Sequence, residues 1–137
     1  MDRVAKVFID GASKGNPGPA GIGVLILDKN ENEISKISEK IEVTTNNVAE
    51  YTALLRAITE CQKLNLLSVK FYTDSQLLAR QINGVYKIKD QRLQSLYIKI
   101  KGKLLGFKNW EITHIPREKN SVADKLANEP FKKNKNK

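Results

Sequence analysis

The chain has 137 residues; 40 % are hydrophobic, 24 are Lys or Arg and 15 are Asp or Glu, for a formal charge of +9. That length suits one compact domain with one sizeable core, and the cation excess points to a polyanionic partner, because Lys and Arg neutralise phosphates and release their counterions. No apolar run is long enough to cross a membrane as a helix, one cysteine (Cys61) excludes an internal disulfide, and the N-terminus carries no signal-peptide pattern, so the expectation is a soluble, monomeric, cytoplasmic protein.

Arg3 to Asp10 (RVAKVFID) is rich in β-formers and apolar at most positions, as in a strand covered on both faces. Gly11 to Gly21 (GASKGNPGPAG) is dense in Gly and Pro and reads as a loop. Ile22 to Leu27 is a second strand, and the polar turn Asp28 to Glu33 predicts a hairpin. Glu33 to Val43 fits both a helical and an alternating period; hairpin context and β-branched content favour a strand. From Asn47 to Leu64, Tyr51, Leu54, Leu55, Ile58 and Cys61 recur at helical spacing, with Cys61 a core residue. Val69 to Thr73 is a short strand, and Ser75 caps a helix that stops at Asn83-Gly84. Asp90 caps another, with Leu93, Leu96, Tyr97, Ile100 and Leu104 on one face. Trp110 to Ile115 is a strand ended by Pro116. Asn120 or Ser121 opens the last helix, with Val122, Ala123, Leu126 and Ala127 facing inward. Residues 130–137 form a basic, disordered tail holding four of the lysines. Residues 1–129 are then a single α/β domain, a mixed sheet of five strands, antiparallel first and parallel later, with helices on both faces.

Four carboxylates stand where such sheets build their sites. Asp10 closes the first strand and Asp74 the fourth; Glu50 and Asp124 fall in the first turns of two helices. Like charges brought together raise each other's pKa and repel, and hard divalent cations such as Mg²⁺ or Mn²⁺ relieve that repulsion. Two ions about 4 Å apart support phosphodiester cleavage. Structural roles compete: Glu50 lies three residues after Asn47, and Asp124 three after Ser121, as in capping boxes. Asp-Gly and Asp-Ser are also common turn pairs.

The sequences around these carboxylates resemble the type 1 ribonuclease H family. Asp10 to Gly21 (DGASKGNPGPAG) is similar to its first motif, Thr44 to Glu50 (TTNNVAE) to its second, Thr73 to Gln76 (TDSQ) to its third and Asn120 to Ala127 (NSVADKLA) to its fourth. The resemblance runs from about residue 4 to 128. It implies strand order 3-2-1-4-5 with strand 2 antiparallel to its neighbours. It also implies an endonuclease that uses two Mg²⁺ ions, with Mn²⁺ able to substitute, to hydrolyse the RNA strand of RNA–DNA hybrids, leaving 3′-hydroxyl and 5′-phosphate ends. Asp10, Glu50, Asp74 and Asp124 would be the metal ligands. Gly11, Ser13, Asn16, Asn46 and Gln76 would line the RNA side, where 2′-hydroxyls mark the strand; Thr45 and Asn47 would meet the DNA backbone, and Ser75 and Asn120 complete the substrate-binding set. Gly11, Gly15, Gly18 and Gly21 would let the backbone approach nucleic acid closely.

For the family's histidine in the loop before the last helix there are two counterparts. His114 matches by offset from Asn120, but strand phase places it with Trp110 and Ile112. Arg117 is the alternative, a residue that neutralises phosphate but shuttles protons poorly. Between Asn83 and Lys103 the lysines at 87, 89, 99, 101 and 103 and Arg92 form either a basic binding face or a solvated helix surface. Cleavage of double-stranded RNA, and a catalytically weak hybrid-binding module, remain as alternative readings.

Overall fold

The computed structural model describes residues 4–85 and 87–132. Strands β1 (Val4–Ser13), β2 (Gly18–Asp28) and β3 (Glu33–Thr44) come first, followed by helix α1 (Asn46–Lys63), β4 (Ser68–Thr73), α2 (Gln76–Ile82), α3 (Gln91–Leu104), β5 (Asn109–His114) and α4 (Ser121–Asn128). The strands lie in one sheet of order β3-β2-β1-β4-β5. β2 is antiparallel to β1 and β3, while β4 and β5 run parallel to β1. The parallel pairs follow from helical crossovers, which put helices on a sheet face.

Alternation along β1 divides the sheet. Ala5, Val7 and Ile9 face one side with their register partners Ile26, Val24, Val69 and Phe71, all 2 % exposed or less. Against them pack Tyr51, Leu54, Ile58 and Cys61 of α1, Leu78 and Ile82 of α2, and Ile100 and Leu104 of α3. The other face carries α4, whose Ala123 and Ala127 are fully buried, and the stacked rings of Phe8 and Tyr72, 4.9 Å apart. β3 is an edge strand in which exposed Lys36, Lys40 and Glu42 flank buried Ile37 and partly buried Ile41, and such edge charges discourage pairing with another chain.

Several expectations are corrected. The Gly/Pro-rich segment is mostly strand: Gly11, Ala12 and Ser13 pair with Ile22, Gly21 and Ala20, so Asp10 lies inside β1 and only residues 14–17 turn. Pro19 is tolerated because it sits at the register shift between Gly18 and Ala20. The cap of α1 is Thr45, whose Oγ1 accepts from Val48 N, so Glu50 is in the second helical turn and closes no capping box with Asn47. Asn120 precedes α4 without a side-chain cap bond, so Ser121 and Asp124 make no box either. Val122 points outward, 43 % exposed. Glu129–Phe131 form a 3-10 turn, and the expected disorder at 133–137 lies outside the described residues.

α4 lies flat on the sheet because β2 has glycine where they cross. A Cβ on Gly23 would stand 2.2 Å from Ala123 O and 2.6 Å from Ala127 N, both backbone atoms that cannot swing aside. Gly23→Ala is therefore expected to destabilise the fold by about 2–3 kcal/mol, read as a lower urea midpoint at unchanged m-value. Gly102, inside α3, has nothing within 4 Å of such a Cβ. Gly102→Ala is expected to raise stability by about 0.5–1 kcal/mol, and a loss in that same unfolding experiment would show that α3 is not held as described.

Candidate active site

β1 is paired with β4 only as far as Ile9, which lies opposite Thr73. There β4 stops and β1 continues to Ser13, leaving one edge of β1 open. Backbone groups on such an edge need partners, and three side chains from two other segments, α1 and the residue before α4, supply them. Ile9 O accepts from Asn120 Nδ2 at 2.8 Å, Gly11 N donates to Glu50 Oε1 at 2.8 Å, and Ser13 N donates to Asn46 Oδ1 at 2.9 Å. Asn46 N in turn donates to Asn16 Oδ1 at 3.0 Å, tying the hairpin turn to the start of α1. Glu50 reaches the strand because residue 11 has no side chain: a Cβ there would meet Ala49 C and O at 2.3 Å.

Asp10 and Asp74 each follow one member of the Ile9–Thr73 pair, so both enter the same notch. Carboxylate oxygens of Asp10, Glu50 and Asp74 all lie within 4.8 Å of one another. Asp124, in the first turn of α4, falls outside that set; its Oδ1 lies 3.7 Å from Arg117 Nη2, and its carboxylate adds to the strain on Asp10. All four carboxylates line one cleft of about 500 Å³, together with Arg117, Lys14, Asn46 and Asn128.

The cluster is electrostatically strained. Burial, then the charge of Asp74 and the hydrogen bond and charge of Asp124, push Asp10 up to about 8, with Arg117 opposing. Burial and the charge of Asp10 raise Glu50 well above the usual range, against the hydrogen bond from Gly11 N. Asp74 is raised by burial; the Asn120 amide, Arg117 and His114 hold it back. A set of oxygen donors without His or Cys, whose charges repel and are only partly offset by Arg117, fits a hard divalent cation rather than zinc.

The other expected site residues divide into groups. Gly11, Ser13 and Asn46 line the cleft, and Asn16 is bonded to Asn46. Thr45 caps α1; Ser75 caps α2, its Oγ accepting from Leu78 N at 3.1 Å. Asn47 and Gln76 are exposed at the starts of α1 and α2, outside the cleft lining. Arg117 lines the cleft, whereas His114 is the last residue of β5, paired with Thr73 in the sheet, its side chain exposed near Asp74.

One expectation fails: Asn120 is not a substrate-facing residue, being 1 % exposed with its Nδ2 donating to Ile9 O. Three of the expected glycines also admit the chain's own backbone. Gly11 lies against Ala49, Gly21 against Ala127 O, and Gly18 against Lys14 O inside the turn. Sequence reasoning also missed Lys14 and Asn128 in the cleft. Asn128 had a signal, standing four residues after Asp124 on the same helical face; Lys14 had none beyond its charge.

The reverse transcriptase-like family model matches residues 8–130. Ribonuclease HI of Halobacterium salinarum is 37 % identical over 130 residues, which are 93 % of this chain and 65 % of that protein. The chain spans only 33 % of the mycobacterial relatives it matches at 34 % identity. Among solved structures, ribonuclease H1 of Halobacterium salinarum superimposes with a TM-score of 0.91 at 35 % identity, covering 93 % of this chain and 97 % of that one. LC11 ribonuclease H1, in complex with an RNA/DNA hybrid, gives 0.87 at 44 % identity, covering 91 % and 94 %. Sequence, sheet order and carboxylate placement agree: the chain belongs to the type 1 ribonuclease H family.

Proposed function

We propose that the protein is an endonuclease hydrolysing the RNA strand of RNA–DNA hybrids with two Mg²⁺ ions, acting as a cytoplasmic monomer. The observation that carries this reading is the meeting of Asp10, Glu50 and Asp74 within 4.8 Å in a chain of net charge +9. The family relationship and the hybrid bound to LC11 ribonuclease H1 support the substrate class. Asp10, Glu50, Asp74 and Asp124 would hold the ions. When bound, the ions supply Lewis acidity that activates water and offsets charge on the cleaved phosphodiester.

The chain's own groups do the rest. Arg117, 79 % exposed at the cleft, places a guanidinium where a phosphate enters, which suits neutralisation better than proton transfer. Asn16 and Asn46 use their Oδ1 atoms inside the protein, and their Nδ2 groups have no partner among the described residues. Those fixed amides present donors to 2′-hydroxyls, which only RNA carries. Thr45, Asn47, Ser75 and Gln76 lie at the starts of α1 and α2 and flank the cleft as backbone contacts. Specificity then comes from sugar chemistry and duplex shape rather than base sequence, and double-stranded RNA is the competitor to test.

Labelled hybrid, double-stranded RNA and double-stranded DNA are to be incubated with the protein in Mg²⁺, Mn²⁺ or EDTA. Cleavage confined to the hybrid's RNA strand, lost in EDTA and in Asp10→Asn, is expected; equal cutting of DNA, or binding without cutting, would sink the proposal.

The strained cluster yields a second prediction. Because folding raises the Asp10 pKa from 3.8 to about 8, the metal-free fold binds a proton there that the unfolded chain has released. Its stability therefore falls as pH rises from about 4 through about 8. In EDTA at pH 8, Asp10→Asn is expected to melt at least ~3 °C above the unmodified chain, the shift that roughly 1 kcal/mol produces at this size. The gap should close toward pH 4, and adding Mg²⁺ at pH 8 should raise the melting temperature of the unmodified chain more than that of the variant. A variant less stable at every pH would instead give Asp10 a structural role.

A further inference from the structure

Resting on the nuclease reading above, we propose that Lys14 is a phosphate-binding residue, gripping a phosphodiester of the strand in the acidic cleft beside the one that is cut.

Two cations line that cleft, Arg117 and Lys14, and they are held differently. Arg117 is 3.7 Å from the Asp124 carboxylate. Lys14 has no carboxylate within 4.0 Å among the described residues; its Nζ donates instead to Asn128 Oδ1, a neutral acceptor. Asn128 cannot drift, because its Nδ2 donates to Asp124 O at 2.8 Å and reaches Asp124 Oδ1 at 3.4 Å. The ammonium also stands 5.4 Å from the centre of the Phe131 ring, which the 3-10 turn after α4 brings over the hairpin. Lys14 is itself anchored at its backbone, with N donating to Pro19 O at 2.7 Å.

A positive charge is thus fixed at the rim of four carboxylates, yet its charge is not neutralised by any of them. Two of the three ammonium protons remain for another acceptor. An acceptor that carries charge and fits next to the metal-binding carboxylates is a phosphodiester oxygen. The surface continues the track. A second cleft of about 400 Å³ shares Asp124 and Asn128 with the first and is lined by Ser121, Lys125 and Lys132. A strand leaving the cut past Asn128 would meet Lys14 first and Lys125 next.

The test is hybrid binding by fluorescence anisotropy over a range of KCl concentrations, in Mg²⁺, on the Asp74→Asn background so that the substrate survives. Lys14→Gln is expected to weaken binding about threefold or more and to reduce the slope of log Kd against log salt by about 0.7–0.9, the signature of one lost phosphate contact. Lys14→Arg should keep the slope, and Lys29→Gln, in the turn at the opposite end of the hairpin, should leave it unchanged. The melting temperature of Lys14→Gln should match its parent. An unchanged slope for Lys14→Gln, or weaker binding accompanied only by a lower melting temperature, would overturn the assignment and leave Lys14 a bracket for Asn128. Failure of the parent reading is separately visible, since the unmodified chain would then leave the hybrid's RNA strand uncut or cut DNA equally.

Discussion

The open edge of β1 organises this molecule. Four residues of the strand run past the end of β4, and their backbone groups on that side have no ladder partner. A polar group left bare in a cleft costs more than a poor hydrogen bond, so the edge selects side chains with the right reach. Glu50, Asn46 and Asn120 are those side chains, the first two from α1 and the third from just before α4. The notch that results is where Asp10, on β1, and Asp74, just past β4, already stand. Satisfying the backbone and assembling the carboxylates are therefore one event.

Glycine sets how close the pieces come. α1 rests its backbone on β1 at Gly11, and α4 rests on β2 at Gly23. With a side chain at either place the helix would lift, and Glu50 or Asp124 would lift with it. The order of motifs in the sequence thus has a mechanical content: the residue after Asp10 matters for the position of Glu50, and the residue opposite Asp10 in the ladder, Gly23, matters for α4. The fold can sustain mutually repelling carboxylates because the layer beneath is dry and rigid. Val7, Ile9, Val24 and Phe71 are fully buried there, and Tyr51 and Leu54 of α1 close the layer within the helical turn after Glu50.

Much of this was legible in the residues. Element order, the crossover-derived parallel strands and the adjacency of Asp10 and Asp74 all follow from periodicity and from where strands end. Thr45 was harder to assign as a cap because Asn46 and Asn47 offer the same chemistry, and only backbone dihedrals distinguish them. The Gly/Pro run misled for a definite reason. Glycine is read as a turn signal from sequence, but in this sheet Gly11 and Gly21 are strand residues that admit helices. Asn120 entered the substrate-binding set through the family resemblance; here the carbonyl of Ile9, unpaired in the ladder, holds it inside. Lys14 carried no signal, since its meaning depends on Asn128 and Phe131, more than a hundred residues away.

The same bonds bear on how chemistry and recognition are joined. Asn46 accepts from the β1 backbone at Ser13, two residues from Gly11, whose N–H fixes Glu50. Asn16 is locked to Asn46 through a backbone N–H. The amide groups proposed to sense ribose and the carboxylate proposed to hold metal are therefore mounted on one short, stiff stretch of strand. A strand lacking 2′-hydroxyls would leave those amide donors unpaired at the cleft, a penalty of the kind that rejects an analogue missing a polar group far better than shape alone does. On that proposal selectivity for RNA needs no moving part, because the amides assigned to the sugar cannot shift without disturbing the edge that positions Glu50.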